Sequence, residues 1–334
     1  MASNEDSRAY PLHDRRQRLD KAHEVLTHAI HNGNLLYQGV PSSDIKDAVA
    51  HVGCGTGIWL NEVARTYFSN TRTSPTTPLL VGFNPYDDVF PPNNEPHVKL
   101  VKHNCIQPFD AQYWGKFDLV HVRGLAYAVT EERLVDLMKN AIQLIKQGGY
   151  LQWFESETSS WKSHPSSYEM DRVSAIVSAE RLHRKLVQDI PLFMCKTLED
   201  YEFPSFKSDI GLSIRNFELL PGGVTQGASN LDAQWIDSLS KLLFESAKLL
   251  LDATAKRVKD EEAAKEANKY EQEVAKEFEF LIDVEKATTE KQGPAIILEI
   301  ECLKNYIDKV SQSGEVVMGG EFPCLVAQKG HRFG

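Results

Sequence analysis

The sequence predicts a doubly wound α/β protein built on a largely parallel sheet. Three observations carry that expectation. Short apolar runs bounded by glycine recur through the first half of the chain. Segments with helical spacing, or loops, separate them. A glycine-rich turn, Gly53-Cys54-Gly55-Thr56-Gly57, directly follows the first run. Hydrophobic residues make up 42% of the 334, enough for a sizeable core.

Residues 16–37 read as the first helix, with Leu19, Ala22, Val25, Leu26 and Ala29 at helical spacing. Strands are expected at 47–52, 79–83, 98–101, 117–122 and 150–155. Helices are expected at 58–67 and 131–146. Beyond Trp161 the pattern changes: 168–200 is helical, 212–220 is a strand closed by Pro221-Gly222-Gly223, and 228–292 holds neither Gly nor Pro, which favours long helices. The stretch 231–255 is amphipathic, and 256–291 is dense in Glu and Lys and reads as a solvated helical face. A helix at 294–310 and a strand at 323–329 end the chain.

Composition excludes several roles. Lys and Arg number 37 against 47 Asp and Glu, a net charge of −10, which argues against nucleic acid as the main partner. The five cysteines, Cys54, Cys105, Cys195, Cys302 and Cys324, form no CxxC pair, so neither a disulfide framework nor a cysteine zinc site is expected. A reducing, cytoplasmic setting fits best. The N-terminal residues contain no apolar signal core, and no run approaches the roughly 20 residues of a membrane span.

The turn at 53–57 carries the chemistry. Alternate glycines let backbone approach a ligand without Cβ collisions, and the helix that follows offers unpaired N–H groups. Its spacing is neither that of the dinucleotide fingerprint nor that of a P-loop. A plain tight turn between strand and helix would read the same way.

The segment His51-Val-Gly-Cys-Gly-Thr-Gly-Ile-Trp resembles motif I of class I S-adenosylmethionine (SAM)-dependent methyltransferases, in the branch of fungal secondary metabolism that includes LaeA-like proteins. Arg18-Leu-Asp-Lys-Ala-His23 resembles that branch's RLDxxH helix. Pro91-Pro-Asn93, Phe117-Asp-Leu-Val-His-Val-Arg123, the Gly148-Gly149-Tyr150 turn, the stretch from Gly211-Leu212 to Pro221-Gly222 and Val326–Lys329 are similar to its later motifs. The resemblance implies a Rossmann-like, seven-stranded, doubly wound sheet with a helical lid. It divides the chain into an N-terminal helical cap at 1–40, a SAM-binding core at 41–225 with a helical insertion at about 160–205, a lid at 226–312, and the core's final strand within 313–334.

The implied activity is methyl transfer from SAM to a small-molecule natural product, at O, N or S, without nucleic acid or membrane. Gly53, Cys54, Gly55, Thr56 and Gly57 would cradle the methionine portion. Asn84 would hold the ribose, Asn104 and Cys105 would read the adenine, and Arg123 would stand at the mouth of the transfer chamber. His51, Asn84, Asn104 and Gln152 stand where the family usually carries acids. An amide accepts a hydrogen bond but lacks the strengthening charge.

In-line transfer from a sulfonium needs alignment above all, and a base only when the acceptor arrives protonated. Glu155, expected to face the cleft, and His164 are the first candidates for that base, with His183 on the following helix a further one. His23 could be a cap or a pocket wall, and His121 a satisfied core histidine. Tyr127 and Trp161 are candidate faces for the sulfonium. No spacing calls for a metal. Two other classes stay open: a methyltransferase fold catalysing a non-methylating step such as cyclisation, and a non-catalytic regulator.

Overall fold

β1 (Ala48–Val52) is buried along its whole length, as befits a strand at the centre of a sheet covered on both faces. The computed structural model describes residues 12–31, 33–37, 39–69, 77–199, 218–220, 224–226, 233–275, 293–313, 316–322 and 324–329. After α1 (Leu12–His31) come β1, α2 (Ile58–Tyr67), β2 (Leu79–Asn84), β3 (Val98–Lys102), β4 (Phe117–Arg123), α3 (Glu131–Leu144) and β5 (Ile145–Phe154). The chain goes on through β6 (Glu157–His164), α4 (Tyr168–His183), α5 (Ile190–Glu199), β7 (Glu218–Leu220), β8 (Val224–Gln226), α6 (Ala233–Ala275), α7 (Gly293–Ser313), β9 (Val317–Glu321) and β10 (Cys324–Gln328).

Among the described residues, six strands form the main sheet in the order β10-β5-β4-β1-β2-β3. Five run parallel, and β10 lies antiparallel on β5. The chain leaves β1 towards β3 and then returns to place β4 on the other side of β1. That reversal opens a crevice at the carboxyl ends of β1 and β4, the place where such sheets take ligands.

Side chains alternate across the sheet. Val52, Val120, Val122, Leu151 and Trp153 face α3, which supplies Leu134, Leu137, Met138 and Ala141. Val49, Leu80, Leu119 and Tyr150 face α2, which supplies Trp59, Leu60, Val63 and Ala64. α3 begins under Thr130, whose hydroxyl accepts from Arg133 N, with Glu131 and Glu132 in its positive first turn. A third core joins α4, α6, α7 and β9 to Val25 of α1 and to Phe154.

The structure departs from the sequence expectations in several places. The first helix ends at His31, before Gly33 turns with a φ of +78°. β5 begins at Ile145, immediately after α3. The helical insertion expected from about residue 160 begins later, because 157–164 is a strand that pairs antiparallel with β9 outside the main sheet. Of the strand expected at 212–220, only Glu218–Leu220 is described, paired with Val224–Gln226 as a separate ribbon. Residues 212–217 and 276–292, and with them part of the expected charged helix, lie outside the described residues. Among the described residues no helix is long and apolar enough to cross a membrane.

Asp118 pins the amino end of the sheet. One of its carboxylate oxygens, Oδ2, accepts from the backbone N–H groups of Lys46, Asp47 and Ala48 at 3.0, 2.7 and 2.9 Å. The other pairs with Lys146. Replacing it with Ala leaves three N–H groups without their acceptor in a buried setting. Asp118→Ala is expected to lose about 3 kcal/mol in urea unfolding, with Asp118→Asn between it and the wild type.

Candidate functional site

The turn after β1 is tied to β2 before anything else touches it. Gly53 N and Cys54 N both donate to Phe83 O, at 2.9 and 3.0 Å. Gly53, Gly55 and Gly57 all hold positive φ, +73°, +56° and +81°, a region costly for other L-residues. A Cβ on Gly53 would strike Leu125 at 2.6 Å, and one on Gly57 would strike Leu100 at 2.8 Å. One on Gly55 would meet Leu19 at an ordinary 3.6 Å. Backbone conformation and these leucines therefore fix the three glycines. The space over the turn is lined by protein side chains, Leu19 and Leu125 among them.

α1 crosses this turn and is fastened there by polar contacts. Asp20 Oδ1 accepts from the Thr56 hydroxyl at 2.5 Å. Arg15 pairs with Asp88 at 2.5 Å. Arg16 donates to the carbonyls of Asp88, Val89 and Phe90. His23 Nε2 meets Glu62 Oε2 on α2 at 2.9 Å, and Arg123 Nη1 lies 3.1 Å from His23 Nδ1. Burial, then the Arg123 charge, lowers the His23 pKa, so the ring is neutral, with its proton on Nε2 and its lone pair towards Arg123. On the outer side, a cavity of about 390 Å³ lies between α1, α2 and the Val89–Glu95 loop. Among the site residues expected from sequence, it touches only Thr56.

The other expected residues fall in different settings. Asn84 ends β2 and donates through Nδ2 to Tyr86 O at 2.8 Å, which leaves its Oδ1 for an outside donor. Asn104 is exposed beyond β3, and its Oδ1 lies 3.4 Å from Ile106 N. The Cys54 and Cys105 thiols are buried, and burial pushes the Cys105 pKa up to about 12, so neither offers a ready thiolate. His164 ends β6, opposite Val317. His183 is half exposed and faces Glu261 of α6 at 3.6 Å.

The expectation that Glu155 faces the cleft is corrected. Its side chain is fully buried and accepts from Leu125 N and the Trp153 indole at 2.9 Å each and from Ala126 N at 3.2 Å. The carboxylate thus clamps the loop after β4, the loop that sets Leu125 against Gly53. Burial raises its pKa to about 7 in spite of these donors.

His51 and Gln152 also lie inside the protein. His51, His121 and Gln152 sit in register on β1, β4 and β5. Gln152 donates to Leu35 O and to His121 Nδ1, and accepts from Tyr37 N. Trp59 stacks on His121 at 4.1 Å between ring centres. Trp153, Phe154 and Trp161 are core residues, and the Tyr127 hydroxyl donates to Ser156 O at 2.6 Å. Sequence reasoning missed Asp20, Glu62, Leu100 and Leu125 as parts of this site. Asp20 was legible in the RLDxxH string, whereas nothing local marks the other three. Among the described residues no cluster of His, Cys, Asp or Glu is placed to hold a metal ion.

No protein-family model matches the chain. It is 30% identical over 196 residues to methyltransferase grgD of a Penicillium species, covering 57% of this chain and 66% of that one. It is 26% identical to N-methyltransferase verN of Clonostachys rogersoniana, covering 42% and 46%. The chain thus spans about half to two thirds of the length of these curated relatives. Among solved structures, an S-adenosylmethionine-dependent methyltransferase from Mesorhizobium loti is 13% identical, covers 41% of this chain and 56% of that one, and superposes with a TM-score of 0.29. At that score it carries no weight for the fold, which rests on the strand order. The resemblance to methyltransferases seen in the motifs extends to the sequences of these relatives.

Two outcomes are expected. Gly57→Ala should lower the melting temperature more than Gly55→Ala, since both strain the backbone but only the first displaces a leucine. Glu155 has a folded pKa near 7 against an ordinary 4.5, so the folded state keeps its proton where the unfolded chain has released it. Wild-type stability relative to Glu155→Gln should therefore fall as pH rises between about 4.5 and about 7, and be level above that. Denaturant melts of both proteins across that range measure the difference.

Proposed function

We propose that this chain is a SAM-dependent methyltransferase that acts on a small-molecule natural product. The observation that carries the reading is the left-handed glycine turn at the sheet's reversal, with Asn84 and Asn104 at the carboxyl ends of the next two strands. A nucleoside laid along that edge would rest on the turn and meet the free Oδ1 of Asn84 at its ribose. Arg123, at the end of β4, stands on the other side of the turn. The residues present fit the cofactor, provided Leu125 yields the space above Gly53. The names of the relatives support the activity, and verN, like sirN of Leptosphaeria maculans, is named an N-methyltransferase, which favours nitrogen as the acceptor atom.

SAM would supply an activated methyl group with a good leaving group, which leaves the chain the work of alignment and exclusion of water. A neutral amine needs no base. Glu155 would act at one remove, by fixing the loop that closes over Gly53, and His164 would serve only an acceptor that arrives protonated. α1 would cap the cofactor, and α4, α6 and α7, joined by the β6–β9 ribbon, would form a lid over the acceptor. On this reading the core spans 41–225 with its last strand inside 313–334, beneath a lid at 226–312. The acidic charge balance fits an enzyme that does not bind nucleic acid, and the cysteine pattern fits a reducing, cytoplasmic one.

The test is calorimetric titration with SAM and S-adenosylhomocysteine, followed by mass spectrometry of candidate amine, phenol and thiol metabolites. The expected result is micromolar cofactor binding and a product heavier by one methyl group. A folded protein that binds neither compound would overturn the reading. Binding without any methylated product would favour a non-methylating reaction.

A further inference from the structure

Among the described residues no acid pairs with Arg123. It follows Val122, which pairs with Val52, so it stands beside Gly53 at the crevice. Burial lowers its pKa, and among the described residues its hydrogen-bonded partner is the neutral His23 ring at 3.1 Å. Glu62, a carboxylate whose charge reaches Arg123, is engaged on the far side of that ring. Tyr37, His51 and His121 pack around the same place, and Asp20 acts on the His23 side. None of them pairs directly with the guanidinium. Arg123 is half-buried, and a cation partly withdrawn from water is stabilised by an anion that meets it.

The relay behind it has a definite sense. Glu62 accepts a hydrogen bond from Nε2–H, which fixes the tautomer and turns the Nδ1 lone pair towards Arg123. One N–H of the fork is thereby anchored, and the others remain for a ligand. A planar fork held at one corner is suited to a carboxylate, which it can grip with two parallel bonds.

We propose that Arg123, positioned by His23 and Glu62, is a carboxylate receptor, and that it takes the carboxylate of the cofactor's amino-acid portion. This rests on the SAM reading above. The amino-acid portion would lie on the 53–57 turn, next to Arg123. The nucleoside would lie towards Asn84 and Asn104, out of the arginine's reach. The arginine then selects between ligands that share a nucleoside and differ in the acid.

The experiment compares two such ligands, S-adenosylhomocysteine and 5′-methylthioadenosine, titrated into the full chain as wild type, Arg123→Gln, Arg123→Lys and His23→Ala. The wild type should prefer S-adenosylhomocysteine. Arg123→Gln should weaken that ligand by about tenfold or more and leave 5′-methylthioadenosine unchanged. Arg123→Lys should retain part of the preference, which also covers the case in which the Gln variant fails to fold. His23→Ala should lose a smaller part, with the nucleoside again unaffected, a pattern that general loosening of the fold does not produce.

Equal weakening of both ligands would overturn the proposal and leave Arg123 a structural residue. Unchanged S-adenosylhomocysteine affinity in Arg123→Gln would also overturn it. A wild type that binds neither ligand would overturn the SAM reading, and this inference with it.

Discussion

Three polar side chains lie side by side in the middle of a buried sheet, and the need of the amide among them for partners shapes what surrounds it. His51, His121 and Gln152 occupy matching positions on three adjacent strands. Burial holds both imidazoles neutral, with pKa values well below the ordinary one. An unpartnered amide in such a place costs on the order of 1–3 kcal/mol. Gln152 avoids that by taking the backbone of Leu35 and Tyr37, and the Trp59 indole adds a second bond to Leu35 O. The segment 35–37 is therefore drawn onto the sheet, and α1 immediately before it follows. Only with α1 in that position do Asp20 reach Thr56 and His23 reach Arg123. A core requirement on one face of the sheet thus brings the polar contacts to the glycine turn at its edge.

The fold was legible where local pattern and tertiary need agree. Short, mostly apolar runs became β1, β2 and β4, because parallel strands covered on both faces can be apolar through most of their length. The Glu157–His164 strand was not legible. Its sequence, ETSSWKSH, lacks an apolar face, and it is extended because β9 and the buried Trp161 hold it there. Local sequence contains no trace of a partner more than 150 residues away. The segment 145–149 lacked strand character for a similar reason. Its pairing with β4 is interrupted between Phe117 and Leu119, so it is extended by its position next to β4 and not by its own propensities.

Of the site, the glycine turn and its motif neighbours were visible, but their physical reasons were not. Spacing implied that each glycine makes room for a ligand. Two of the three instead make room for leucines of this chain, Leu125 and Leu100. A sequence motif records that a Cβ is forbidden and is silent on what forbids it. The RLDxxH string likewise reads as a helix with an amphipathic pattern. Its function, to bring an acid and an imidazole across the turn, depends on the docking of α1, which local sequence does not encode. Glu155 shows the same limit. A strand-ending acid is equally consistent with a catalytic group and with a clamp, and only burial and three donors decide between them.

The neutral residues at acid positions are not one departure repeated four times. His51 and Gln152 are buried in the core row, where a carboxylate would carry an unpaired charge beside two rings and a backbone carbonyl. At those two positions a neutral group suits the local packing, and its presence there says little about the ligand. Asn84 and Asn104 are different, because both lie on the edge where the crevice opens. At Asn84 the amide does something an acid cannot: its Nδ2 donates to Tyr86 O and holds the loop that leads to the Val89–Glu95 segment. An Asp there would place a charged acceptor against that carbonyl. A gain in ribose binding from the charge would then be offset by a loosened loop, on which Arg16 of α1 also depends through Val89 and Phe90. Sequence treats the four positions alike because it compares residue types. The structure separates them by what each side chain must satisfy, and leaves Asn104, which is exposed and weakly bonded, as the departure with the least internal reason for its amide.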